Sequence, residues 1–420
     1  MRIAISRFPL ARQRAALRAS ALLTALAPAV APAAVVQNLC APNVIARDVV
    51  VTAQQREAAG DRVTPPSLID PVNGFAWPDT QIGVVRSRDG KSMLFFASDG
   101  GCHARCSSVT QRDGSITRTV GGLDNPLGGG GPIETLLEGG GVDPPIDYVG
   151  AGPVFRIPDG EEGAGYLLIV YHAERATYFP PHSYPDPLPY QNSFYSTLGL
   201  AKSTDDGLTW TDLGEIIRAN QPYAPNAAGY DIGDGNLVVD PTGAYLYIYF
   251  PDRIADGKPD TFMSVARAPM RAVLDAAFGA GPRPAFTKYD HGRWDEPGIG
   301  GRSSGVLPQP YPSYAGDPGI AFDDALGRYV AIFDDTQNIS WAESPDGIHW
   351  ADPVLVLATD PTEASALYAV PVGMGEDPSR LGKTSYVFYT YYPNPANPTI
   401  AHPGWQGAQV RRLTIDCAGG

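Results

Sequence analysis

Apolar residues in this chain fall in short runs separated by polar, glycine-containing turns, and the runs come in pairs. Three pairs share one phrase: Asp79 opens DTQIGVVRSRDGKSMLFF, Asp234 opens DGNLVVDPTGAYLYIYF and Asp317 opens DPGIAFDDALGRYVAIF. Each is an aspartate, two residues, an apolar strand, a polar turn and a second apolar strand. Two related pairs lie at IDYVGAGPVFRIPDGEEGAGYLLIVYH, from Ile146, and SALYAVPVGMGEDPSRLGKTSYVFYTY, from Ser365. A third strand follows in several units, and in two of them an Asp-Gly turn leads to an expected fourth strand that starts with a tryptophan, Trp210 or Trp350. The last unit ends with QVRRLTID beside Cys417. Long helical patterns are scarce; MRAVLDAAFG, from Met270, is the best.

Such a unit cannot bury both of its faces alone, so five of them predict a radial or stacked array. Four strands and their turns need about 40–50 residues per blade, and long loops supply the rest. The expected fold is all-β, a five-bladed β-propeller over 75–420, preceded by an N-terminal arm over 35–74. Glycine- and proline-rich stretches such as Gly121–Pro132, Tyr178–Asn192 and Tyr391–Trp405 fall between units. With 47 Gly, 41 Pro, only 18% charged residues and 43% hydrophobic residues, the composition fits turn-rich β structure with a large core.

Residues 1–34 read as a secretory signal peptide. Arg2, Arg7, Arg12, Arg14 and Arg18 form a basic start, and an apolar run ends in small residues near Ala33 and Ala34. That run is too short and too proline-broken to span a bilayer, and no other stretch is long enough, so no membrane partner is expected. The formal charge is −14; removing five arginines and no acid with the signal leaves a mature chain near −19. A surface of that sign repels nucleic acid and anionic lipid. The expected protein is secreted or periplasmic, monomeric, and acts on a neutral or cationic partner. Four cysteines suit an oxidising compartment and allow three pairings. Cys40–Cys417 with Cys102–Cys106 is the expected one, because the first bond fastens the two ends of a ring. A metal site at Cys102-His103-Cys106 is the rival reading, and it lacks a second ligand pair at metal-site spacing.

Ser203-Thr204-Asp205-Asp206-Gly207-Leu208-Thr209-Trp210 resembles the sialidase Asp-box, and Ser344-Pro345-Asp346-Gly347-Ile348-His349-Trp350 its shortened form. The inner-strand phrase resembles that of the five-bladed glycosidases of the arabinanase, xylosidase and invertase group. This resemblance covers about 75–415 as architecture. It implies a propeller fold and glycoside hydrolysis, with Asp205 and Asp346 as structural turn residues rather than catalysts. The sialidases themselves have six blades, an arginine triad and a tyrosine nucleophile; the chain has five units and no clear triad.

Glycoside hydrolysis needs one carboxylic acid to protonate the leaving oxygen and a second carboxylate to activate water or attack the sugar. A third carboxylate nearby raises the pKa of the acid. Asp79, Asp234 and Asp317 stand at equivalent places on strands that line the channel of a propeller, with Asp231 an alternate to Asp234. They are expected to gather at one end of the channel. Capping of turns, or binding of a channel calcium ion, is the alternative role for these acids. Glu174 is the expected acid and Glu363 the second choice. His172 and Arg302 are candidates for sugar hydroxyls or a substrate carboxylate, and Trp77 and Tyr230 for stacking on a sugar face; each also has an ordinary structural role open to it.

The expected function is hydrolysis of a neutral oligo- or polysaccharide, furanosides such as arabinan favoured, with no required cofactor. A non-catalytic carbohydrate-binding propeller and a sialidase-like exo-enzyme are the competing readings. Nothing in the chain matches a phosphate loop, a G-x-S-x-G elbow or an H-E-x-x-H helix.

Overall fold

The paired runs form antiparallel strand pairs at the inner side of five sheets, two of which also carry a short parallel edge strand. The computed structural model describes residues 36–53, 80–98, 116–126, 133–135, 137–138, 148–176, 194–223, 232–253, 262–279, 281–308, 316–335, 337–360, 364–393 and 409–417. From the inner strand outward, blade one is Gly83–Arg86, Met93–Ser98, Ile116–Gly121 and Ile133–Thr135. Blade two is Tyr148–Arg156, Leu167–Ala176, Phe194–Ser203 and Trp210–Ile217, edged by Leu137–Glu138. Blade three is Asn236–Val239, Tyr245–Asp252, Phe262–Pro269, Thr287–Asp290 and Arg293–Pro297. Blade four is Gly316–Asp323, Arg328–Asp334, Ile339–Ser344 and Val354–Leu357, with Arg380–Leu381 beside its inner strand.

Blade five is Ala364–Gly373, Thr384–Pro393 and Gln409–Asp416, and its outermost strand comes from the other end of the chain. Asn43–Ala53 pairs antiparallel with Gln409–Asp416, from Asn43 opposite Asp416 to Ala53 opposite Gln409. The N-terminal arm is thus woven into the ring. Cys40 and Cys417 are disulfide-bonded just beyond that pairing, 377 residues apart in sequence. Buried Glu343 of blade four accepts the Leu39 and Cys40 amides at 2.7 and 2.8 Å, and Asn38 Oδ1 accepts the Glu343 amide at 2.9 Å. Closing so long a loop stabilises the fold by about 5 kcal/mol on a chain-entropy argument. Cys102 and Cys106 lie outside the described residues, as do the expected signal peptide, all of 178–192, most of 391–405 and the second half of 121–132.

The core shows that the ring is closed. Among the described residues five apolar clusters occur, one at each junction: blades one and two, two and three, three and four, four and five, and five and one. An open arc of five blades would have four. The last junction packs Ile82, Val84 and Phe95 against Val370, Val372 and Phe388. Because both faces of each sheet are covered, inner strands read as continuous apolar runs rather than alternations. Trp210 begins a fourth strand as expected. Trp350 does not; its indole donates to the Gly347 carbonyl at 3.1 Å and fills the junction of blades three and four, and the fourth strand starts only after Pro353. The helix expected from Met270 spans Met270–Phe278 and buries Met270, Val273, Leu274 and Ala277 against blades two and three.

Candidate active site

Side chains alternate along a strand, so residues two apart share a face. In Leu167–Ala176, Tyr171 and Ala173 belong to the core between blades one and two, while His172 and Glu174 share the other face. His172 is buried, and its Nδ1 accepts the backbone N–H of Asp234, on blade three, at 3.0 Å. An amide nitrogen only donates, so the imidazole proton must sit on Nε2. That proton is given to Glu174 Oε1 at 2.8 Å. The ring is therefore a fixed bridge: it ties the start of the blade-three inner strand to a half-buried carboxylate on blade two. Asp234 Oδ1 lies 3.9 Å from the same Nδ1, which brings a second carboxylate beside the bridge.

Blade one joins this cluster. The Thr80 hydroxyl donates to the Ala151 carbonyl of blade two, and Gln81 Nε2 donates to the Asp234 carbonyl at 3.2 Å. Both residues are buried. Gln81 was not among the candidate residues; the only sign of it in sequence is an amide at the mouth of an apolar run. Asp79, Trp77 and Tyr230 lie outside the described residues, as do the alternates Asp231 and Glu363.

Asp317 is buried at the start of the blade-four inner strand. Antiparallel order puts it at the same end of the ring as Asp234, because both stand where an inner strand begins. Arg302 stands instead at the outer strands of blade three, where it is exposed and paired with Glu296 at 3.0 Å and Asp290 at 3.4 Å. In the same blade, buried Lys288 donates to the Arg218 and Gly301 carbonyls at 2.6 and 2.9 Å. Burial pushes its ammonium down to about 8, against the pull of Asp252 and Glu296.

The two Ser-x-Asp turns join third to fourth strands, so strand direction places them at the opposite end. Asp205 accepts from Ser203 and Thr209, and Asp346 from Ser344, Ile348 and His349. Burial opposes the charge on both carboxylates, but these hydrogen bonds outweigh it and hold both below the usual aspartate range. Arginines collect at this end too. Arg156 pairs with Asp206 at 2.9 Å, the Asp206 carbonyl accepts Arg118 Nε at 2.7 Å, and Arg86 reaches Glu376 at 3.2 Å. Among the described residues no group of three or more His, Cys, Asp or Glu side chains stands together in a metal-binding arrangement.

No protein-family model matches the chain, and no curated protein sequence matches it. Solved structures do. The chain is similar to a family 117 glycoside hydrolase from Zobellia galactanivorans, at TM-score 0.48 and 11% identity over 88% of this chain and 90% of that one. It is similar to an α-L-arabinofuranosidase from Fusarium graminearum, at TM-score 0.46 and 10% identity over 88% and 98%. It is also similar to an exo-β-1,3-galactanase from Phanerochaete chrysosporium, at TM-score 0.44 and 11% identity over 87% and 64%.

Proposed function

We propose that the protein is a secreted or periplasmic, monomeric glycoside hydrolase acting on a neutral oligo- or polysaccharide, with furanosides such as arabinan as the favoured substrates. The observation that carries this reading is the His172 bridge. Its imidazole engages the Glu174 carboxylate through Nε2 and the Asp234 amide through Nδ1, and the Asp234 carboxylate lies 3.9 Å from Nδ1, where the blade-three inner strand begins. In the reaction Glu174 delivers a proton to the glycosidic oxygen as the C–O bond to the anomeric carbon breaks. Asp79 acts as the base that activates water, and Asp234 or Asp317 sets the pKa of the acid. With Oε1 engaged by His172, Oε2 of Glu174 is the oxygen that exchanges the proton. His172 acts through Glu174 as a positioning residue, and Trp77 and Tyr230 offer rings to a sugar face. Acid/base chemistry of this kind requires no cofactor; a calcium ion in the channel would be a structural addition.

The test is a screen of the purified mature chain against aryl furanosides, aryl pyranosides, and plant and bacterial cell-wall glycans. Cleavage of a furanoside that survives a chelator and is abolished in Glu174→Gln supports the reading. Full turnover by both Glu174→Gln and Asp79→Asn sinks the residue assignment, and glycan binding without cleavage replaces the hydrolase with a binding propeller.

A further inference from the structure

Among the described residues five that are not glycine have positive φ: Asp206, Asp234, His291, Asp317 and Tyr368. Asp206 and His291 lie in tight turns, where such angles are ordinary. The other three, with φ of 46°, 48° and 58°, mark one place in three successive blades. Two residues after each, pairing with the second strand is regular: Asn236 opposite Tyr249, Gly319 opposite Ile332, Val370 opposite Phe388. In blades four and five a register shift falls across the positive-φ residue itself, between Gly316 and Gly319 and between Leu367 and Val370. Such bulges re-aim a side chain.

The backbone there is anchored in the same manner on two of the blades. Asp234 gives its amide to His172 Nδ1, on the second strand of the preceding blade, at 3.0 Å. Tyr368 gives its amide to Asp334 Oδ2, also on the second strand of the preceding blade, at 3.0 Å. Asp334 is completely buried. The inner strands meet closely at this level: a Cβ on Gly319 would stand 2.4 Å from the carbonyl oxygen of Ala369, the residue after Tyr368. Aspartate tolerates a left-handed backbone through its short polar side chain, whereas a bulky tyrosine there is an outlier. Folding alone is better served by glycine at such an angle. Strained positions of this kind cluster at ligand sites, where surrounding contacts hold them.

We propose that Tyr368, which the sequence reading did not single out, contacts the substrate of the glycosidase site, and that Asp334 is the positioning residue that holds it there. This rests on the hydrolase reading above for the identity of the substrate as a sugar. Two acids and a tyrosine then occupy equivalent places on blades three, four and five. One of the acids sets the pKa of Glu174, and the phenol offers an apolar face and a hydroxyl to one sugar ring. The site accordingly discriminates sugars at the blade-five side by ring contact rather than by charge.

The experiment compares kcat, KM and Tm for Tyr368→Gly, Tyr368→Phe, Asp334→Asn and the Tyr368→Gly/Asp334→Asn double variant on the best substrate. Glycine accepts the backbone angle, so Tyr368→Gly is expected to keep Tm within about 2 °C while raising KM about tenfold or more. Asp334→Asn is expected to raise KM in the same direction, and the double variant to have the KM of Tyr368→Gly alone, because the two act as a unit. Tyr368→Phe separates ring from hydroxyl. An unchanged KM in Tyr368→Gly overturns the proposal, as does a fully additive double variant for the role of Asp334. If the wild type cleaves no glycoside, the hydrolase reading fails separately. The same variants are then read by equilibrium binding to arabino- and galacto-oligosaccharides. Binding about tenfold weaker in Tyr368→Gly upholds the contact; equal binding, or none by the wild type, overturns it.

Discussion

Asp205 and Asp346, at one end of the ring, receive their hydrogen bonds from their own turns: Ser203 and Thr209 in one case, Ser344, Ile348 and His349 in the other. At the other end the anchors cross between blades. His172 of blade two holds the Asp234 amide of blade three, Gln81 of blade one reaches the Asp234 carbonyl, and Asp334 of blade four holds the Tyr368 amide of blade five. Both ends carry aspartates with positive φ, so neither charge nor strain tells them apart. The difference lies in where the partners of Asp205 and Asp346 come from; Asp206, beside Asp205, is itself held from blade one, by the Arg88 amide at 3.0 Å and Arg118 Nε at 2.7 Å. A carboxylate saturated by its own turn finishes a local structure and has little left to offer a ligand. The His172, Asp234, Gln81, Asp334 and Tyr368 groups pinned from a neighbouring blade come together only once the ring closes, and the half-buried Glu174 at their edge meets His172 through Oε1.

The largest expected effect separates the two ends by activity. Glu174→Gln should lower kcat by about three orders of magnitude, the scale of lost proton transfer, with Tm unchanged. His172→Ala should lower activity by about ten- to a hundredfold, because Glu174 loses its fixed orientation, and should also cost about 1–3 kcal/mol by leaving the Asp234 amide without its acceptor. Steady-state kinetics beside denaturant unfolding reads both effects. Asp205→Ala should behave in the opposite sense: full activity, with stability lower by about 1 kcal/mol from lost turn hydrogen bonds. Equal loss of activity in Asp205→Ala and His172→Ala would erase the distinction between the ends.

The smallest effect is a pH dependence at the turn end. Asp205 and Asp346 are held below the unfolded aspartate value, which lies near 3.9. The unfolded chain therefore binds more protons in that range, and the stabilisation is present above about pH 4 and is lost as pH falls through the lowered folded values. In acid titrations of Tm, the gap between the wild type and an Asp205→Asn/Asp346→Asn variant should narrow below pH 4. A gap that widens in acid would contradict the sign.

The strand pairs, their number and the joining of the two ends are legible in the sequence because each depends on local pattern: apolar runs, turn glycines, and cysteines at the ends. The phrase opened by an aspartate also marks Asp234 and Asp317 as equivalent, and register bears that equivalence on the described strands. The outer strand of blade five is not legible, because Asn43–Ala53 carries no repeat signal and finds its partner at the far end of the chain. Gln81, Asp334 and Tyr368 are missed for a related reason. Their significance lies in contacts between blades, which no single unit encodes, and Tyr368 breaks the aspartate pattern that flags the other two. Arg302 shows the converse: a polar residue at a blade edge, conspicuous in sequence, is held by Glu296 and Asp290 at the outer strands of blade three.

The most direct measurement is a crystal structure of Glu174→Gln with a bound oligosaccharide that the wild type cleaves. The expected result is a glycosidic oxygen within about 3 Å of the residue-174 side chain, with a sugar ring against Tyr368 and none at the Ser203–Trp210 or Ser344–Trp350 turns. An oligosaccharide seated at the turn end, with the inner-strand starts empty, would contradict the assignment of the site.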